Sequence, residues 1–194
     1  MASAPEDNRG ALRRPAFWGI AAIFALIWLN HGLLLTYILT HFQERGVSRE
    51  WATVTAAAQL AGRMVLVLGG ARVADGKAAK VALALVVVAA CLLWIAGAAP
   101  FLVFLVVAVQ GAGIGPMSIM RPMLVADVLG RRGFGAISGA AAVSPILATA
   151  EAPSLETFLQ DRAGAGAIYG CLVGFAVVRL ALAVVLTRAR PVAG

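Results

Sequence analysis

The chain alternates between long apolar blocks and short polar segments. The blocks cover residues 17–41, 52–71, 80–99, 101–120, 134–155 and 164–187. At about 1.5 Å per residue, a helix of about twenty residues spans roughly 30 Å, the thickness of a bilayer's hydrocarbon core. None of the blocks alternates polar and apolar residues with a period of two, so a membrane barrel is excluded. Because backbone amides must be paired inside lipid, we predict an all-α membrane protein with six transmembrane helices and polar tails at residues 1–16 and 189–194.

Composition supports a lipid environment. Of the 194 residues, 61% are hydrophobic and 13% are charged, and the mean hydropathy is +0.91. A soluble domain of this size needs more polar surface. The net charge of +7 comes from residues that flank the apolar blocks, which fits a membrane surface and argues against nucleic acid as a partner. Cys91 and Cys171 lie inside apolar blocks without a CxxC pattern, so we predict buried thiols and neither a disulfide nor a metal site.

Lys and Arg residues indicate the direction of the chain through the membrane. If the N-terminus is cytoplasmic, three basic residues lie outside, at Arg45, Arg49 and Arg162, and ten lie inside. The ten are Arg9, Arg13, Arg14, Arg72, Lys77, Lys80, Arg131, Arg132, Arg188 and Arg190. Because Lys and Arg are enriched in cytoplasmic loops, we expect a multi-pass protein of the inner (plasma) membrane with both termini in the cytoplasm.

Arg63 is the most unusual residue of the second block, because it lies near the middle of the span. An arginine at the centre of a membrane helix costs about 2.5–3.5 kcal/mol on insertion scales. Thr55, Gln59 and Arg63 recur every four residues, which predicts one polar stripe that faces a water-filled cavity. A guanidinium there suits a carboxylate or phosphate. The alternative is a structural hydrogen bond between helices.

Further polar residues lie within other apolar blocks. Asn30 and His31 are near the middle of the first block, and Gln110 is in the fourth. A histidine titrates near neutral pH, so His31 is a candidate carrier of a coupling proton, and a packing role is the alternative. We predict that Arg63, Gln59, Asn30, His31 and Gln110 line a substrate-binding site.

Glycine-rich segments indicate how the helices pack. GAGIGP, at 111–116, resembles a nucleotide cradle, but a dinucleotide fingerprint follows a strand and opens a soluble helix. We interpret it as part of a closely packed gating helix, and we expect no cofactor. Small-residue packing seams are predicted in the last two spans. They are Gly135 with Gly139, and Gly166 with Gly170 and Gly174.

Two further arginines lie at or near the cytoplasmic ends of spans. Arg179 lies about six residues from the cytoplasmic end of the hydrophobic run of the sixth block, so its stem is expected to snorkel towards the cytoplasm. Arg121 follows the fourth block and is expected to reach lipid phosphate or the next loop.

Three stretches resemble a known family. GGARVADGKAAK, at 69–80, resembles the cytoplasmic signature loop of the major facilitator superfamily, with a glycine, a spacer, an aspartate and then basic residues. The segment RPMLVADVLGRRGFGAISGAAAVSPILATAEAP, at 121–153, resembles the link between the tenth and eleventh helices of many bacterial members. QLAGR, at 59–63, resembles their eighth helix. The order and spacing of these stretches extend the resemblance to about residues 12–188.

The resemblance implies a transporter and covers the second six-helix half of a twelve-helix bundle. It implies that Asp75 is a conformational latch, although Gly76 stands where the family has a basic residue. In that family the solute binds near mid-membrane between two halves. We therefore expect a second six-helix half as partner, either another copy or a separate N-terminal half.

Three classes of function follow from these patterns. The first is a secondary transporter, or half of one, for a small organic solute, with an anion suggested by Arg63 and a proton gradient as the driving force. The second is a non-transporting membrane subunit or a truncated remnant. The third is an intramembrane hydrolase, which needs a GxSG serine and a later histidine. GAISG, at 135–139, has different spacing and both histidines precede it, so we predict that the chain is not an enzyme.

Overall fold

The computed structural model describes residues 10, 12–42, 50–69, 76–96, 99–130 and 133–188. Within these residues the chain is helical and contains no strand. The helices are α1 (Pro15–Tyr37), extended by a π-helical turn (Ile38–Phe42), then α2 (Trp51–Gly69), α3 (Gly76–Ala96), a 3-10 turn (Pro100–Leu102), α4 (Val103–Leu129) and α5 (Phe134–Arg188). The predicted all-α class is confirmed.

Among the described residues, three helical stretches are long and apolar enough to cross a membrane. They are Pro15–Thr40, Val103–Ala126 and Phe134–Val185. The last has 52 residues. At about 1.5 Å per residue, a straight helix of that length would be more than twice as long as the hydrocarbon is thick. The number of crossings therefore depends on the shape of α5.

The first part of α5, residues 134–163 (α5N), runs parallel to α1. The Ser144 hydroxyl donates to the carbonyl of Ala21 at 3.0 Å, and the Thr40 hydroxyl donates to the Glu156 carboxylate at 3.3 Å. Residue numbers thus increase together along the two helices.

The second part, residues 165–188 (α5C), runs antiparallel to α1. The Asn30 amide donates to the carbonyl of Leu172 at 2.7 Å, and the Tyr37 and Tyr169 hydroxyls are 2.8 Å apart. Here residue numbers rise on one helix as they fall on the other. The reversal occurs at Gly164, which has φ 70° and ψ −172°. Only glycine adopts this backbone conformation without strain.

We expect Gly164→Ala to destabilise the fold by about 1–3 kcal/mol, because a Cβ is strained at this φ and ψ. Gly166→Ala is the matched control, since Gly166 is two residues away, helical, and faces open space. The thermal midpoints of the two purified variants measure the effect. Equal midpoints would show that the turn tolerates a side chain.

Close backbone contacts at glycines join α4 to α2 and α3. A Cβ at Gly111 would lie 2.8 Å from the Thr55 carbonyl oxygen, and one at Gly113 would lie 2.7 Å from that of Ala82. A Cβ at Gly115 would collide with the carbonyl of Gln59. The predicted close packing of the fourth span is therefore confirmed.

The other predicted glycine seams are wrong for contacts within this chain. A Cβ at any of these glycines would meet nothing within 4 Å; they are Gly135, Gly139, Gly166, Gly170 and Gly174. The spacing alone does not show which side of a helix has a neighbour.

Two helix ends also differ from the prediction. α4 continues to Leu129 instead of ending at residue 120, because Val125 and Leu129 continue its buried face. α5N passes through Pro145 and Pro153 and reaches the reversal at Gly164, beyond the predicted end at 155. Arg121 is consequently inside a helix and not at its end.

Candidate functional site: a buried polar network

Asn30 is the centre of a polar network between the helices. Its side chain is 1% exposed, and its amide donates to the carbonyl of Leu172 on α5C at 2.7 Å. Its oxygen accepts from the amide of Gln110 on α4 at 3.2 Å, and Gln110 is also 1% exposed. Because a buried polar group without a partner is costly, these contacts fix the relative position of α1, α4 and α5C.

His31 continues the network to α2. Its Nε2 lies 3.3 Å from the side-chain amide nitrogen of Gln59. An amide nitrogen is a donor only, so Nε2 of His31 accepts and the ring proton is on Nδ1. That Nδ1 is buried and has no hydrogen-bond partner. Adjacent residues on a helix point about 100° apart, which lets His31 reach α2 while Asn30 reaches α4 and α5C.

Four of the five predicted binding residues thus meet in one network, namely Asn30, His31, Gln59 and Gln110. The fifth, Arg63, lies elsewhere. Thr55 is buried and Gln59 is half-buried, but Arg63 is exposed on α2 between exposed apolar side chains such as Leu60 and Val67. Each four-residue step turns a helix by about 40°, so the third member of the stripe leaves the face of the first. Arg63 is therefore exposed on a face of α2 that turns away from the buried Thr55.

Arg179 is the buried cation of the site. It is 0% exposed, and Nε, Nη1 and Nη2 all lack a hydrogen-bond partner. The predicted snorkelling towards the cytoplasm is wrong. Side chains tilt towards the N-terminus of their own helix, and α5C ends at the cytoplasmic side in the predicted orientation. For Arg179 the tilt points along α5C towards Leu172 and the network.

His31 and Arg179 lie on packed antiparallel helices, because Asn30, the neighbour of His31, contacts Leu172, about two helical turns before Arg179. Since α1 and α5C are antiparallel, the tilts of both side chains bring them towards the same level. The unpaired nitrogens of these two residues are all donors: three on Arg179 and Nδ1–H on His31. An acceptor with negative charge would complement this set.

A cavity of about 430 Å³ opens beside the network. It lies between α1, α4 and α5N and is lined by Trp28, Arg121, Pro145, Ile146, Thr149 and Ala150. The Trp28 ring contacts the His31 ring edge to face, with 6.0 Å between centroids. Trp28 therefore lines the cavity and contacts the network.

Arg121 lines this cavity as a half-buried residue of α4, and in the described part of the chain it makes no hydrogen bond or ion pair. Residues 131 and 132 of the next loop lie outside the described residues, so the expected contact of Arg121 with that loop stays a prediction. Arg121 and Trp28 are contributions to the site that the sequence pattern did not reveal, because the cavity joins residues about 90–120 positions apart.

Other predicted features have mixed outcomes. Asp75, the implied latch, lies outside the described residues. Cys91 is exposed and Cys171 is half-buried, so the prediction of buried thiols is wrong for Cys91. Both are free thiols. The described residues contain no cluster of three metal-ligating side chains.

No family model, curated protein or solved structure matches this chain. The resemblance to the major facilitator superfamily therefore stays a prediction.

Proposed function

We propose that the chain is a secondary active transporter, or one half of one, that moves a small organic solute by alternating access. The polar network carries this proposal. It places hydrogen-bonded amides, a histidine and an unpaired arginine in the interior of an otherwise apolar helical protein. Ionisable residues within membrane helices are costly, and they usually mark a solute or proton pathway.

The proposed transporter has six crossings, with α5N and α5C as separate spans. Their opposite directions relative to α1 support this count. Both termini would lie in the cytoplasm of a cell with the protein in its inner membrane. Reporter fusions at both termini should read as cytoplasmic, and a periplasmic C-terminus would contradict six crossings.

The conformational change would separate two helix pairs. α1 packs mainly against α5, and α2 packs mainly against α4. Glycine contacts hold α2 and α4 so closely that they would move as one body. Two contacts join the two pairs at the polar network, from Gln59 to His31 and from Gln110 to Asn30. Rupture of the contact between Gln59 and His31 would be the first step of the separation.

A proton on His31 would drive that rupture. Protonation of Nε2 turns it from an acceptor into a donor, and it then faces the donor amide of Gln59. An anion bound near the ring would favour the protonated form of His31, because opposite charges attract. Transport would therefore couple a proton to the solute.

We expect His31→Gln to remove the pH dependence of transport while leaving insertion intact, because glutamine keeps a polar group without a titrating ring. Uptake into reconstituted vesicles, with and without an imposed pH gradient, measures the effect. Gln160→Leu is a control on α5N, outside the network. Coupling that persists in His31→Gln would remove His31 from the proton path.

A second six-helix half is the proposed partner. α2 presents an arginine, Arg63, among exposed apolar side chains, and Leu68 is 77% exposed. A charge on a lipid-facing surface is costly, whereas the interface with another half would enclose it. The solute cavity of the complete bundle would then include Arg63.

The proposal is tested by uptake into vesicles that contain the purified full chain, alone and with a candidate N-terminal half. Succinate, leucine, glucose and choline serve as labelled probes of different charge. We expect saturable uptake of at least one class, and a loss of about tenfold or more in Gln110→Leu, which breaks the network. Insertion and folding without uptake in either form would favour the non-transporting subunit.

A further inference from the structure

Arg179 poses a problem that the carrier proposal alone does not solve. Its guanidinium is fully enclosed by the protein, and three nitrogens lack partners. A buried charge without a partner is strongly destabilising, so its presence requires a compensating group. Among the described residues, no carboxylate forms an ion pair with it.

We propose that Arg179 and His31 form a buried binding site for the carboxylate group of the transported solute. This inference rests on the proposed transport function and specifies its substrate class. Four buried donor atoms without partners lie on α5C and α1, three on Arg179 and one on His31, beside the contact between Asn30 and Leu172. A carboxylate offers two acceptor oxygens in a plane and binds a guanidinium in bidentate fashion.

The amide side chains of Asn30 and Gln59 lie beside this site and hold its parts in place. The Asn30 side chain is fully engaged by Leu172 and Gln110, so it holds the helices together and leaves the anion to Arg179. Gln59 holds the His31 ring with its Nδ1–H donor free. The donor set is thus kept in place before the solute binds.

The adjoining cavity indicates the rest of the solute. Apart from Arg121 and Thr149, the lining side chains are apolar or aromatic, with Trp28, Pro145, Ile146 and Ala150. The Thr149 hydroxyl already donates to the carbonyl of Pro145 at 2.8 Å. A volume of about 430 Å³ suits a compact molecule. The site therefore fits a carboxylate with a small apolar or aromatic body, and Arg121 would attract it to the cavity.

Benzoate is a suitable probe, with benzamide as its neutral counterpart and inorganic phosphate as a different anion. The purified full chain in mild detergent is titrated with each probe, and the thermal midpoint is recorded. We expect benzoate to raise the midpoint in a saturable manner, and benzamide and phosphate to leave it unchanged at equal concentration.

Two variants locate the effect. Arg179→Met keeps the length of the side chain and removes an unpaired buried charge, so its own midpoint should equal or exceed that of the original chain. The affinity of this variant for benzoate should fall by about 100-fold. In Arg179→Lys the affinity should fall by about tenfold, because lysine keeps the charge and loses the bidentate geometry. Arg162→Met is the matched control, since Arg162 is exposed and only stacks on the Phe158 ring.

Each outcome supports or overturns the carboxylate-binding site. An unchanged benzoate response in Arg179→Met would place the anion elsewhere and overturn the proposal. A response to phosphate and not to benzoate would overturn the carboxylate class, and no response to either anion would overturn the site. Benzoate binding without uptake into vesicles would contradict the carrier and leave the site standing. Saturable uptake of glucose or choline without benzoate binding would support the carrier and overturn the carboxylate site.

Discussion

Gly115→Ala is expected to give the largest loss of stability among the single substitutions, because it forces α2 and α4 apart. A Cβ at this position collides with the backbone carbonyl of Gln59, and a backbone atom cannot move aside as a flexible side chain can. α2 and α4 would have to separate along the face where Gly62 also contacts Ala112. Overpacking of this kind costs about 1–3 kcal/mol, and a rigid helix pair should lie at the upper end. The yield of monodisperse protein in detergent and its thermal midpoint measure the loss.

Gly139→Ala is the control for that variant. Gly139 is also a helical glycine of an apolar segment, but a Cβ there meets nothing within 4 Å. We expect it to be neutral or slightly stabilising, because alanine favours helix more than glycine does. If both alanine variants behaved alike, the close contact of α4 with α2 would not exist.

Asn30→Leu is expected to have the second largest effect. The substitution leaves the buried amide of Gln110 without its acceptor and removes the link to the Leu172 carbonyl. An unsatisfied buried donor costs about 1–3 kcal/mol. Transport should be lost as well, since α1 would no longer be held against α4 and α5C. Thermal unfolding in detergent measures the loss of stability, and uptake into vesicles measures the loss of transport.

A double substitution tests whether the loss comes from the network. In Asn30→Leu with Gln110→Leu, no donor of that pair is left unsatisfied, so the combined destabilisation should be smaller than the sum of the single ones by about 0.5–3 kcal/mol. Thr36→Val is the control on α1, because the Thr36 hydroxyl bonds only within its own helix, to the Gly32 carbonyl at 2.9 Å. Additive effects of the two leucines would mean that Asn30 and Gln110 act independently.

The helical class and most of the polar network could be predicted from the sequence. Asn30, His31, Gln59 and Gln110 stand out because polar side chains are rare in apolar blocks and must find partners there. In the structure they contact one another in two pairs, Asn30 with Gln110 and His31 with Gln59, and the predicted substrate binding stays a prediction. The spacing did not reveal which helix each residue would reach.

The two arginines show what residue spacing does not reveal. Arg63 is exposed on α2, because helical drift turns it away from the face of Thr55, and its role in solute binding stays a prediction. Arg179 was placed at the interface because of its distance from the end of the block. The tilt of side chains towards the helix N-terminus was the signal that pointed inwards. The cavity was not predictable, since three distant segments form it.

Alternating access is tested most directly by the accessibility of the network from the two sides of the membrane. The full chain, with Cys91 and Cys171 replaced by alanine, receives a single cysteine by Leu172→Cys, beside Asn30. Right-side-out and inside-out vesicles are treated with a membrane-impermeant maleimide, with and without benzoate. Thr149→Cys, at the cavity, serves as the reactive control.

A carrier should label slowly at position 172 from at least one side, and benzoate should change the rate by several-fold. A cysteine at 172 that stays unreactive from both sides under both conditions, while the cysteine at 149 reacts, would show that the network never opens and would contradict transport through it.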